Sequence, residues 1–172
     1  ESKKQIDQVN ELAKENIDLL IVSPNEKQPL TPINKKVYES AIPVVLIDRG
    51  INSEKYTAFI GASNFEVGQN AGRYAVSLLN GKGNVLEIMG LPDASPFIAR
   101  HEGFMNIISQ HPGINYLKKL DDHAVDYQKK LTGILLTEKN IDLIFAQSDY
   151  IAKELYKVCK QTGVDKKIKI IG

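Results

Sequence analysis

The chain has 172 residues, 42% of them hydrophobic and 25% charged, a composition that supports one or two compact α/β units with cores of their own. Its formal net charge of +1 excludes the strong single-signed field by which a protein gathers nucleic acid or an anionic membrane surface. No apolar run approaches the length of a membrane span, no secretory signal is visible, and the single cysteine, Cys159, excludes an internal disulfide.

Residues 2–16 carry Ile6, Val9, Leu12 and Ala13 at helical spacing between charges, and the short apolar run Ile17–Val22 that follows ends at Ser23-Pro24. The same pairing then repeats. A helix over 32–41 leads into a strand at Pro43–Ile47, and Tyr56–Ile60 makes the next strand. The helix after it is predicted to turn Val67, Ala71, Tyr74, Ala75, Leu78 and Leu79 inward. Gly68 and Gly72 lie one turn apart on it, a spacing that predicts close packing on a sheet. The remaining pairs are Asn84–Met89 with a helix from Pro96 to Gln110, Tyr116–Leu120 with a helix over 127–139, and Ile141–Ala146 with a helix over 149–162. A last strand occupies Ile168–Ile171. Ile151, Leu155 and Cys159 form one helical stripe, so Cys159 reads as a small buried apolar residue rather than a reactive thiol.

Near-continuous Val, Ile and Leu runs predict strands buried on both faces, and helices between them predict right-handed parallel crossovers. The fold class is doubly wound α/β. The chain opens inside a helix and stops at a strand tip, so a longer parent is expected.

In open parallel sheets, ligands sit beyond the carboxyl ends of the strands. Here those ends read Ser23-Pro24-Asn25-Glu26, Asp48-Arg49-Gly50, Gly61-Ala62-Ser63-Asn64, Gly90 to Ser95, Asp121 to Asp126, and Gln147-Ser148-Asp149. Each offers hydrogen-bonding groups, yet Ser63 or Asn64, Ser95, Asp126, and Ser148 or Asp149 also suit helix caps. Asp48-Arg49 begins no helix. A carboxylate beside a guanidinium supplies paired acceptors and forked donors, which suit vicinal hydroxyls; a structural ion pair is the alternative. Arg100 falls in the first turns of its helix, from which its side chain can reach back toward the strand ends; a solvated surface arginine is the alternative. Tyr127 could stack on a sugar ring or pack into the core.

No catalytic constellation is present in the sequence. Asn80-Gly81-Lys82-Gly83 lacks the spaced glycine and the Ser/Thr of a phosphate loop and reads as a helix end before a strand. No G-x-G-x-x-G follows a strand. His101, His111 and His123 are too scattered for a helix-borne metal pair, and Asp121-Asp122-His123 reads as a solvated loop. Asp165-Lys166-Lys167 reads as a turn. The expectation is a binding domain, not an enzyme, with no cofactor and no metal.

Taken in order, Ser-Pro-Asn-Glu at 23–26, Pro-Leu-Thr-Pro at 29–32, Ile-Pro-Val-Val at 42–45, Asp48-Arg49, Tyr-Thr-Ala-Phe-Ile-Gly-Ala at 56–62, Arg100-His-Glu-Gly-Phe104 and Phe-Ala-Gln-Ser-Asp at 145–149 closely resemble the type I periplasmic binding proteins. Ribose-binding proteins and the ligand cores of lac-repressor-type regulators belong to that superfamily. The resemblance spans essentially the whole chain. It implies two doubly wound parallel-sheet lobes, with a truncated first lobe at 1–61 and a second lobe, incomplete at its end, at 62–172.

The wording of 21–32 is most similar to sensor domains of hybrid two-component regulators, which join a sugar-binding domain to a histidine kinase and a DNA-binding output. The resemblance therefore implies a small sugar, pentose or hexose, bound in the cleft between the lobes. It implies a location on the periplasmic side of the inner membrane, a homodimeric parent, membrane contact only through the parent's spans, and no nucleic acid touched by this segment. The alternatives are a cytoplasmic repressor core and a sugar-transport binding protein. Carried over residue by residue, the ligand contacts are Asp48, Arg49, Arg100, Tyr127 and the Ser148 position. Ser148 stands where the ribose-binding pattern has Asn, and Ser63 where it usually has Asp; the first departure bears on which sugar fits.

Overall fold

The computed structural model describes residues 1–121, 127–137, 140–164 and 167–172. The chain divides into two compact units, one of Glu1–Ser63 with Asp93–Ile98 and one of Asn64–Pro92 with Ala99–Gly172.

In the first unit, α1 (Ser2–Leu12), β1 (Leu20–Val22), α2 (Lys27–Glu39), β2 (Val44–Ile47) and β3 (Ala58–Ile60) follow one another. The strands pair in parallel in the order β1-β2-β3. Val9 of α1 and Leu30, Ile33 and Val37 of α2 bury against Leu20, Val22, Val44 and Leu46. Successive strand side chains point to opposite faces, and both helices cover the same one. Ile21, Ile47 and Ile60, on the other face, are consequently exposed in the described part of this 172-residue chain.

Helix α2 also starts five residues earlier than its sequence pattern predicts. Pro29 and Pro32 look like stops, but Pro29 lies in the first turn, where no intrahelical donor is needed. Pro32 withholds a single backbone donor from within the helix.

The second unit runs α3 (Asn64–Leu78), β4 (Gly83–Met89), α4 (Ser95–Ile108, whose first turn belongs to the first unit), β5 (Ile114–Asp121), α5 (Tyr127–Thr137), β6 (Leu143–Ala146), α6 (Asp149–Thr162) and β7 (Lys169–Ile171). Its sheet is parallel throughout, ordered β5-β4-β6-β7. Here β4 and β6 are sealed on both sides. Val85, Leu143 and Phe145 pack with Ala75 of α3, with Leu79 just beyond it, and with Phe104 and Ile108 of α4. Leu86, Ile88 and Ile144 pack with Leu131, Leu135, Ile151, Leu155 and Cys159 of α5 and α6. This is the doubly wound arrangement, and Cys159 lies in the core as its helical stripe predicts.

Two expectations for α3 are corrected. Val67 and Tyr74 are exposed rather than inward-facing, because α3 buries a narrower stripe centred on Gly68, Gly72 and Ala75. The glycines face α4, not the sheet. A Cβ on Gly68 would lie 2.1 Å from the Arg100 carbonyl oxygen, one on Gly72 2.8 Å from Ile107 Cβ, and one on Gly103 2.0 Å from the Phe65 carbonyl oxygen. Three glycines thus let two helix backbones touch. Beyond α3 the chain turns through Asn80 and Gly81, both left-handed, with the Gly81 N–H donating to the Val76 carbonyl at 2.9 Å, as the sequence reading of a helix end requires.

Candidate functional site

Crossovers from β4 to β5 and from β5 back to β6 run in opposite directions along the sheet, which opens a crevice beyond the carboxyl ends of the strands. A cleft of about 610 Å³ lies at this end of the second unit, within the range of small-molecule sites. Its wall combines apolar surface from Tyr74 and Phe145 with polar groups from Asn70, Arg100, Ser148 and Asp149. Phe145 is held by stacking on Phe104, ring centroids 4.4 Å apart. An apolar face flanked by donors and acceptors suits a ring with one hydrophobic side and several hydroxyls.

Arg100 is the cation of the cleft wall, and two bonds fix its fork. Its Nε donates to Asn64 Oδ1 at 2.9 Å, and Nη1 donates to the Gln147 carbonyl at 2.5 Å. Asn64 opens α3, Gln147 follows β6 directly, and the close α3–α4 contact brings the donors to both.

Behind Gln147 sits a carboxylate that the sequence reading passed over. Glu87, in the middle of β4, is fully buried. Its Oε2 takes the Tyr116 hydroxyl and contacts His101 Nδ1, each at 2.7 Å, while Oε1 takes Gln147 Nε2 at 2.5 Å. Burial, with the hydrogen bond to Glu87 and its charge adding, pushes the Tyr116 hydroxyl pKa far above the ordinary tyrosine range, so Tyr116 stays a donor. The available signal was a lone acid inside the run Val85-Leu86-Glu87-Ile88-Met89, since an unpaired carboxylate is almost never fully buried.

The expected site residues are distributed as follows. Arg100 and Ser148 line the same cleft. Ser148 is also the N-cap of α6, its Oγ accepting from the Ile151 N–H at 3.3 Å, so the capping and lining readings coexist. Ser148→Ala is expected to destabilise the protein by about 1 kcal/mol, read by urea denaturation.

Asp48 and Arg49 adjoin one another at the carboxyl end of β2 in the first unit. Asp48 adopts a left-handed backbone (φ 63°), which aspartate tolerates better than most residues, and its side chain is 62% exposed. Arg49 Nε stands 3.9 Å from Asp48 Oδ2, and Nη1 donates to the Asn25 carbonyl at 2.8 Å. Tyr127 is the first residue of α5.

Ser95 does not cap α4 but begins it, its Oγ accepting from the Gly50 N–H at 2.7 Å. The strand-tip residues Asp122 to Asp126, with His123 and the expected cap Asp126, lie outside the described residues, as do Asp165 and Lys166. Among the described residues, no group of three or more His, Cys, Asp or Glu side chains is placed to hold a metal ion. Among those residues, too, no helix is long and apolar enough to cross a membrane.

Comparison with known proteins gives a consistent set of relatives. The profile of a family described as "Periplasmic binding protein domain" matches residues 1–172. The ribose import binding protein RbsB of Bacillus subtilis is 25% identical over 172 residues, 100% of this chain and 56% of that protein. The galactofuranose-binding protein YtfQ of Escherichia coli is 26% identical over 171 residues, 94% of this chain and 54% of that protein. Among solved structures, the fructose binding periplasmic domain of a hybrid two component system superposes with a TM-score of 0.94 at 40% identity, covering 100% of this chain and 58% of that one. The chain spans about half the length of the curated relatives it matches.

Proposed function

Because the chain belongs to the periplasmic binding protein domain family, we propose that it binds a small sugar, pentose or hexose, as the sensory domain of a two-component signalling regulator. It is a binding domain rather than an enzyme, as its relatives are. One observation carries the sugar reading: a cleft at the strand ends pairs apolar ring surface with a doubly anchored arginine and a neutral hydroxyl. The sensory role is supported by the 40% identity to a fructose binding domain of a hybrid two component system. A transport role is the second reading, favoured by the 25% identity to a ribose import protein.

Arg100 and Ser148 are the contacts the cleft supports. Asp48, Arg49 and Tyr127 complete the proposed set on the family resemblance of their motifs. In the sensory reading, the domain faces the periplasm of a membrane-anchored, homodimeric parent and passes ligand occupancy to a kinase.

A thermal-shift screen of the full-length protein against pentoses and hexoses, fructose and ribose among them, tests this. A ligand that binds only the native state raises apparent stability with its concentration, by about 2.7 kcal/mol at a hundredfold excess over Kd. No shift with any monosaccharide would sink the sugar reading. Sugar binding that leaves the parent's autophosphorylation unchanged would move the assignment from sensing to transport.

A further inference from the structure

The polar chain behind Arg100 reaches deeper than contact with a ligand requires. Glu87 holds both sides of the Arg100–Gln147 bond. On the acceptor side its Oε1 takes the Gln147 amide directly, while the Gln147 backbone N–H donates to the Ile88 carbonyl at 2.9 Å. On the donor side its Oε2 contacts His101, the residue next to Arg100 on α4. Gln147 is 2% exposed, and its Oε1 has no partner among the described residues, so its amide is oriented from the Glu87 side. A buried carboxylate is retained only where polar partners surround it; here Tyr116 of β5 and Gln147 at the end of β6 donate to it, and His101 of α4 lies in hydrogen-bond contact.

We infer that Glu87 is a positioning residue of the cleft: its carboxylate fixes Gln147 and α4 around the Arg100 guanidinium and thereby sets sugar affinity without touching the sugar. The inference rests on the reading of Arg100 as a ligand contact. It makes the affinity of the site depend on a side chain in the sheet interior, one that a survey of cleft-lining groups would leave out. A network of this kind is separable from packing only by its coupling to the group it positions.

The test is a double-mutant cycle in the full-length protein, with calorimetric titration of whichever monosaccharide gives the largest thermal shift. Glu87→Gln keeps the volume and one acceptor. It is expected to weaken binding about tenfold, or about 1.4 kcal/mol. In an Arg100→Lys background, where the two-point fork is already lost, the same change is expected to alter affinity less than about twofold. Gln147→Met, which removes the amide but leaves the β6 backbone, serves as the second probe and is expected to behave alike, including where Glu87→Gln fails to fold. Unchanged affinity in folded Glu87→Gln and Gln147→Met, beside a weakened Arg100→Lys, overturns the inference and leaves the reading of Arg100 standing. An equal loss in both backgrounds also overturns it, because packing alone would produce that result. No saturable binding by the unsubstituted protein, or no effect of Arg100→Lys, overturns the sugar reading and the inference together.

Discussion

Replacing Arg100 by alanine is expected to abolish measurable monosaccharide binding while the protein still folds. The bonds to Asn64 and Gln147 hold the guanidinium, so its charge meets ring hydroxyls from a fixed direction. Hydrogen bonds involving a charged partner contribute about 1.5–3 kcal/mol each, so losing two weakens binding by a hundredfold or more, roughly. Pre-anchoring adds to this, since the fork does not have to be ordered when the ligand arrives. Calorimetric titration reads the affinity, and circular dichroism reads the fold. Asp48→Ala is expected to show the same loss, because a carboxylate at the end of β2 is an acceptor that alanine cannot replace. Affinity unchanged in both variants would refute the site assignment.

The order of elements in the chain was legible because each helix and strand carries its own period. Strand runs such as Leu143–Ala146 are apolar throughout, and the structure buries them on both faces. Local pattern could not show which partner a face meets. Gly68 and Gly72 carry no mark that distinguishes a sheet from a helix, and the signal for the α3–α4 contact lies far along the chain, at Gly103. Ile21, Ile47 and Ile60 looked like two-sided burial because hydrophobicity reports how well a face can be covered, not whether a helix covers it. Arg100 and Ser148 line one cleft, and their places after strands made a position at that end of the sheet legible. Glu87 stood out only as a lone acid in an apolar run, because its partners meet it only once β5, α4 and β6 come together.

The helix contact that places Arg100 also gives the second large effect. Gly68→Ala is expected to destabilise the protein by about 3 kcal/mol or more, read by urea denaturation. The added methyl would lie 2.1, 2.8 and 2.9 Å from the carbonyl oxygen, carbonyl carbon and Cα of Arg100, all backbone atoms that no rotamer change can move aside. The helices must separate, and a gap of even about 1 Å forfeits a large part of the dispersion energy along the seam. Phe104 and Ala75, both fully buried, pack in that seam. The displaced carbonyl belongs to Arg100 itself, and its partner Asn64 stands one turn before Gly68, so sugar affinity is expected to fall with stability rather than independently of it. Gly133→Ala is the control. Gly133 lies within α5 with nothing among the described residues within 4 Å of its missing Cβ, and alanine there is expected to stabilise by about 0.5–1 kcal/mol with affinity unchanged. A Gly68→Ala protein as stable as the parent would mean that the two helices do not touch at this point, and the placement of Arg100 against Asn64 would fall with the contact.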